Sequence, residues 1–264
     1  MADNEATAEG RPVMRRTDLT FDHGNQPGAL PTTNRGGGLV LVAILPAMAI
    51  AIGLIAMSGQ GDSYNKAVSA GSPDNLIAIA MLGATWLRVM ALFVLMILLV
   101  AVGLGLLTLS LYEAGSRAVA PSALVLFALA AAIFVGWATF EGTVTVWAAE
   151  ETASTSIVPA VYEPLLRWAD VLFRLFMLLA YLAIGAFGGA ILATRAVPAW
   201  AGWASVVLGG LGTIARVSDM AELGVPAWLP PSVPAWMLAG VPGWIPLWGA
   251  IIGVALLTDR ARSK

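Results

Sequence analysis

Six ionisable residues lie within or at the ends of long apolar runs: Arg88, Glu141, Asp170, Arg174, Arg216 and Asp219. An ionised side chain at the centre of a bilayer costs at least about 2.5–3.5 kcal/mol, so such residues face a protein interior or a wet cavity and are candidates for function. Two chemistries suit this set. Arginines lining a polar pocket would hold an anionic headgroup or solute, whereas the same six residues, three arginines and three carboxylates, would also fasten helices together as ion pairs. The spacing favours pairing for some of them: Asp170 and Arg174 are i,i+4 neighbours on one helix surface, and Arg216 and Asp219 stand near the end of a run, where a cap or a snorkelling side chain suffices. Glu141, between Phe140 and Gly142, is the deepest acid. Its depth matches that of Arg174 and Arg88, which makes either a partner for it.

Other chemistries are excluded by what is missing. The single histidine, His23, belongs to the polar N-terminal stretch, so bis-histidine haem, copper, a zinc hydrolase and a Ser-His-Asp triad have no histidine in the apolar part of the chain. There is no cysteine, hence no disulfide, iron–sulfur cluster or thiol nucleophile. No GxxxxGK[ST] loop occurs. The Gly103-Leu104-Gly105 run lies inside an apolar helix and follows no strand, so it is not a dinucleotide fingerprint. We expect no cofactor and no metal. The net charge of −2 and the absence of a basic, aromatic-laced run argue against nucleic acid as a partner.

The elements that would position these residues follow from hydropathy. Of 264 residues, 59% are hydrophobic and 11% charged, with mean hydropathy +0.83; a soluble domain carries about 25% charge. Successive apolar stretches of about 20 residues fit a hydrocarbon core about 30 Å thick, and the short alternating segments of a β-barrel are missing. The sequence therefore predicts an all-α, polytopic membrane helical bundle of about six spans. Residues 1–38 are polar and read as a disordered tail, in which Arg15-Arg16 stands too far from the first apolar run for a twin-arginine signal. Span one is expected over 39–57, with Pro46 inside it. Span two ends near Tyr112. Its pattern starts at Leu76, and 37 residues make about 55 Å of helix, so its first turns should stand out of the membrane with Arg88 at the boundary. Spans three to six are expected over 121–147, 168–194, 198–214 and 236–257, followed by a tail from Asp259 or Arg260 to Lys264.

The tail, the even-numbered connections and the C-terminus hold nine lysines and arginines against two on the opposite side, Lys66 and Arg167. The positive-inside rule then places both termini in the cytoplasm, and the six candidate residues in the outer half of the membrane. Small residues recur at helix-packing spacing: Ala201, Ser205, Gly209 and Thr213, then Gly185 and Gly189, and Gly249 and Gly253. We expect these to serve packing within the chain. Trp200, Trp203, Trp228, Trp236, Trp244 and Trp248 fall near expected interfaces and read as anchors.

Six spans, a long outer connection after the first, the segment from Leu82-Gly83 to Leu111 with its arginine near the outer end, and the run from Thr194 through Pro198 into the Gly-rich fifth span resemble an uncharacterised family of bacterial six-span membrane proteins, the domain-of-unknown-function group numbered 4386. Because that family has no established activity, the resemblance implies no catalytic residue; the expected location is the cell membrane. The combined expectation is a non-enzymatic integral membrane protein: an accessory subunit, or a scaffold interacting with membrane lipids or a protein partner. The alternative is a small-solute or ion transporter whose polar pocket lies in the outer half of the membrane.

Overall fold

A computed structural model describes residues 32–57, 59, 61–69, 73–221 and 244–258. Among the described residues every element is a helix. Helices α1 (Thr32–Val42) and α2 (Ile44–Met57) form one apolar path interrupted at Ala43. Pro46 accounts for the interruption, because it has no N–H to give to the Val42 carbonyl. Helix α1 starts ahead of Leu39, so residues 32–38 are helical where their polarity suggested tail. The short α3 (Gly61–Ser69) and α4 (Asp74–Leu82) lead into α5 (Ala84–Glu113). The overlong second segment is thus two helices and not one. They are divided at Gly83, whose φ of 50° and ψ of −123° suit a residue without Cβ.

Next come α6 (Val119–Thr155), α7 (Tyr162–Thr194), α8 (Ala199–Met220) and α9 (Trp244–Thr258). Four stretches among the described residues are long and apolar enough to cross a membrane: Gly36–Ala56, Ala84–Glu113, Val119–Thr155 and Tyr162–Thr194. Exposed apolar side chains on their outer faces, such as Leu98, Val102, Leu129 and Leu182, are what a lipid-facing surface requires and what water would penalise. This is an all-α bundle of a membrane-embedded protein. The sixth expected span begins at Trp236, and its residues 236–243 lie outside the described residues, as do residues 1–31 of the expected tail, the expected C-terminal tail, and Trp228.

Two apolar cores are stacked along the long helices. The larger joins α1, α2 and α9 to α5, α6, α7 and the start of α8, with Leu104, Phe127, Phe134, Phe176, Phe187 and Ile252 inside it. Its aromatic rings interlock, the Phe134 and Phe176 centroids lying 4.7 Å apart. The smaller core gathers Leu76, Ile79 and Trp86 from α4 and α5 against Phe140 and Ala148 of α6 and Tyr162 of α7. Helices α6 and α7, with 37 and 33 residues, measure about 55 and 50 Å, well beyond a hydrocarbon core of about 30 Å. Ala148, Ala149 and Tyr162 of the smaller core lie on the far ends of these two helices.

Glycines set how closely the helices approach. On α8 the buried positions Gly202, Ser205, Gly209, Gly212 and Arg216 form one stripe at alternating three- and four-residue spacing. A Cβ on Gly209 would fall inside contact distance of the Gly185 backbone and the Tyr181 carbonyl, and one on Gly188 would lie 2.7 Å from the Gly202 carbonyl. The predicted stripe shares Ser205, Gly209 and Gly185 with the observed contact, which has Gly202 in place of Ala201, Gly212 in place of Thr213 and Gly188 in place of Gly189. On α9, a Cβ on Gly253 would come 2.9 Å from the Gly38 carbonyl, so this pair of glycines admits α1. Trp248 is not the interfacial anchor its neighbours suggested. It is buried, and its indole N–H donates to the Ser205 hydroxyl at 2.8 Å, tying α9 to α8.

Adjacent glycines on α8 give an internally controlled test. Gly209→Leu should separate α7 from α8 and cost more than the roughly 1–3 kcal/mol typical of overpacking, because backbone is what it meets. Gly210→Ala, whose Cβ meets nothing within 4 Å, should leave thermal unfolding of the detergent-solubilised protein unchanged or raise its midpoint.

Candidate intramembrane polar site

Helical periodicity explains the first part of the site. Asp170 and Arg174 are one turn apart on α7, and the Arg174 Nε–H donates to Asp170 Oδ2 at 2.7 Å. On α8, Arg216 is the last member of the small-residue stripe, which is why its side chain is only 8% exposed. Asp219, three residues on, accepts from Arg216 Nη1 at 3.4 Å. Close packing of α7 on α8 then brings Arg174 Nη1 within 3.5 Å of the same Asp219 oxygen. Four of the six expected residues thus form one continuous chain, Asp170–Arg174–Asp219–Arg216, that crosses from one helix to the next. Its formal charges cancel.

Within this chain the burial is uneven. Asp170, Arg174 and Asp219 keep side-chain exposures of 50%, 35% and 43%, so the chain opens to one side of the bundle, while Arg216 lies within the helix contact. The Arg216 Nε–H is buried and has no hydrogen-bond partner among the described residues. Tyr181 of α7, whose ring packs against Gly212, is among the groups that act electrostatically on that guanidinium. Glu163 and Arg167 form a further i,i+4 pair at 2.8 Å near the start of α7, but both are largely exposed. A pair of that kind contributes little.

Glu141 and Arg88 do not join them. Glu141 is buried in the smaller core and makes no ion pair among the described residues, neither with Arg174, which is taken by two aspartates, nor with Arg88. Its carboxyl instead accepts from the Thr145 hydroxyl one turn away, and Thr145 Oγ1 in turn accepts from the Tyr162 hydroxyl at 3.3 Å. The Trp86 indole N–H donates to the Glu141 backbone carbonyl at 3.3 Å, fixing α5 to α6 at that level. Arg88 is exposed. It makes no ion pair among the described residues, as a snorkelling side chain would.

Thr145, Tyr162, Trp86 and Tyr181 were not singled out in the sequence. Thr145 carried a signal, being one turn from Glu141. The other three carried none, because only the tertiary fold brings them to their partners. Among the described residues no group of three or more His, Cys, Asp or Glu converges as a metal site would. The cavity between α8 and α9, about 180 Å³ and lined by residues such as Ala204, Leu208, Leu247 and Ile251, is apolar.

The hydroxyl chain at Glu141 makes a specific claim about which atoms matter. Thr145→Val removes a side-chain donor to the buried Glu141 carboxyl and should lower stability by about 1–3 kcal/mol, the range for leaving a buried polar group unpaired. Tyr162→Phe should cost less, since it leaves the Thr145–Glu141 bond in place. Chemical or thermal unfolding in micelles measures both.

No protein-family model matches the chain, and no curated protein or solved structure matches it either.

Proposed function

We propose that this protein is a non-enzymatic membrane scaffold, an accessory subunit or a lipid- and partner-interacting component, whose intramembrane charges fasten helices to one another. The observation that carries this reading is the chain Asp170–Arg174–Asp219–Arg216, in which each charge is answered by another from the same or the neighbouring helix. The apolar cavity between α8 and α9 is lined by none of these four residues.

The scaffold is read as a six-span protein of the cell membrane. Helix α8, at 22 residues, is about 33 Å long and reaches across the hydrocarbon core; α9, at 15 described residues, gives about 22 Å of its crossing. Trp147 and Trp168 are exposed near one end of α6 and α7, and Trp200 and Trp203 at the opposite end of α8. Placed at the two headgroup levels, they put Glu141 and Arg174 each six residues inside one interface, about 9 Å deep. With the positive-inside assignment of both termini to the cytoplasm, that interface is the outer one. The resemblance to the uncharacterised six-span bacterial family fits this layout.

A second reading, a transporter, is favoured by one observation: Glu141 is a buried carboxyl answered by hydroxyls and by no cation among the described residues. The two readings separate at Glu141→Gln, which keeps the shape and the hydrogen bond from Thr145. The scaffold reading expects unchanged protein abundance and unchanged solute uptake by whole cells; loss of uptake at normal abundance would support the transporter instead.

Topology and partnership are tested together. Reporter fusions at residue 1 and residue 264 should both report the cytoplasm, and a fusion in the 156–161 turn should report the far side. Purification from native membranes under mild detergent should retain a stoichiometric protein or lipid companion. Recovery of a bare, delipidated monomer with full stability would count against the scaffold.

A further inference from the structure

We propose that Arg174 and Arg216 form a binding site for a phosphate-type oxyanion, with Asp219 as its displaceable placeholder; the proposal rests on the lipid-interacting form of the scaffold reading. A guanidinium carries five N–H donors in a rigid fork whose edges match two oxygens of a carboxylate or phosphate. The Arg216 fork is 8% exposed and, among the described residues, is offered a single carboxylate contact, Asp219 Oδ2 at 3.4 Å, while its Nε–H is buried and meets no acceptor among them. A buried donor left in this state is costly, and native structures almost always supply a partner for it.

The geometry around Asp219 shows where that partner would enter. Direct charge-assisted bonds of this type run about 2.7–2.9 Å, and Asp170 meets that standard on Arg174 at 2.7 Å. Asp219 does not. One of its oxygens is stretched between two guanidiniums on different helices, at 3.4 and 3.5 Å, and its side chain is 43% exposed. A carboxylate so loosely held, at the open side of the chain, is the group that an incoming oxyanion would displace. Arg174 and Arg216 set against Asp170 alone then leave a charge of +1, which complements the single negative charge of a phosphodiester. The neighbouring exposed side chains Ile214 and Val217 on α8 and Val171 on α7 are apolar, so a headgroup seated here would have acyl chains running along a surface that suits them. A lipid phosphodiester and a free phosphate share this chemistry.

The test uses the purified full chain in detergent, with thermal unfolding followed against short-chain phosphatidylglycerol, against inorganic phosphate, and against sodium chloride at matched ionic strength. Phosphatidylglycerol should raise the unfolding midpoint saturably where chloride does not. Stabilisation by the lipid alone identifies a headgroup site, and stabilisation by phosphate as well identifies a site for free oxyanions. Arg174→Gln should weaken the apparent affinity about tenfold, in keeping with loss of one partner of a charge pair. Asp219→Asn, which lowers the stability of the empty protein, should strengthen anion affinity by a similar factor. That opposition of sign is what a purely structural ion-pair chain would not show. Because Arg216 variants risk misfolding, the decisive pair is Arg174→Gln and Asp219→Asn. A folded wild-type protein indifferent to both anions, or an Asp219→Asn variant that binds no better than wild type, overturns the anion site. Neither result touches the scaffold, which stands or falls on the uptake and co-purification experiments.

Discussion

Lipid tails are as apolar as leucine, so nothing equivalent to the hydrophobic effect presses one membrane helix onto another. Adhesion depends on how near the backbones can come. In this bundle the approach is set by glycines that face backbone directly: Gly209 against Gly185, Gly188 against the Gly202 carbonyl, Gly253 against the Gly38 carbonyl. Much else follows from those contacts. The α7–α8 seam carries Arg174 to Asp219, so the ion-pair chain exists only because five small or buried positions on α8 line up at alternating spacing. The α1–α9 approach, together with the Trp248–Ser205 bond, fastens the last described helix to the rest of the larger core.

The position of Arg216 illustrates how packing and electrostatics share one pattern. It sits where the seam would ordinarily carry another small residue, and burial in that place leaves it without a full set of acceptors among the described residues. A guanidinium tolerates this better than an ammonium would, being more weakly hydrated and planar. The nearby Asp219 gives partial compensation from a more exposed position. Glu141 is handled differently, by two hydroxyls in series, and its isolation from every described cation keeps the two polar regions independent of one another.

What could be read from the residues depended on whether the governing contact was local. Hydropathy located α5, α6 and α7 because each is a long apolar stretch in its own right, and the Asp170–Arg174 pair was legible because four residues make one turn. The extents of α6 and α7 were underestimated, since residues beyond Trp147 and before Trp168 are polar enough to look like loop, yet α6 packs on α4 and Tyr162 of α7 joins the smaller core. Glycine at 83 gave no warning of a break, because glycine is common in membrane helices; its backbone angles disclosed the role. The expected contact of Glu141 with Arg174 or Arg88 rested on depth alone, and depth says nothing about azimuth around a helix. Trp248 failed for the same reason: its distance along α9 suited an interface, but its face pointed inward at Ser205.

The excess length of α6 and α7 bears on which membranes can hold this protein. A span cut to the thickness of one bilayer must tilt, or deform the lipid, when it meets another. Here the hydrogen-bonded backbone of α6 and α7 continues without interruption past the exposed Trp147 and Trp168, where Ala148, Ala149 and Tyr162 join the smaller core. A shift of a few ångströms along the membrane normal would leave the peptide groups of these two helices paired within the helix.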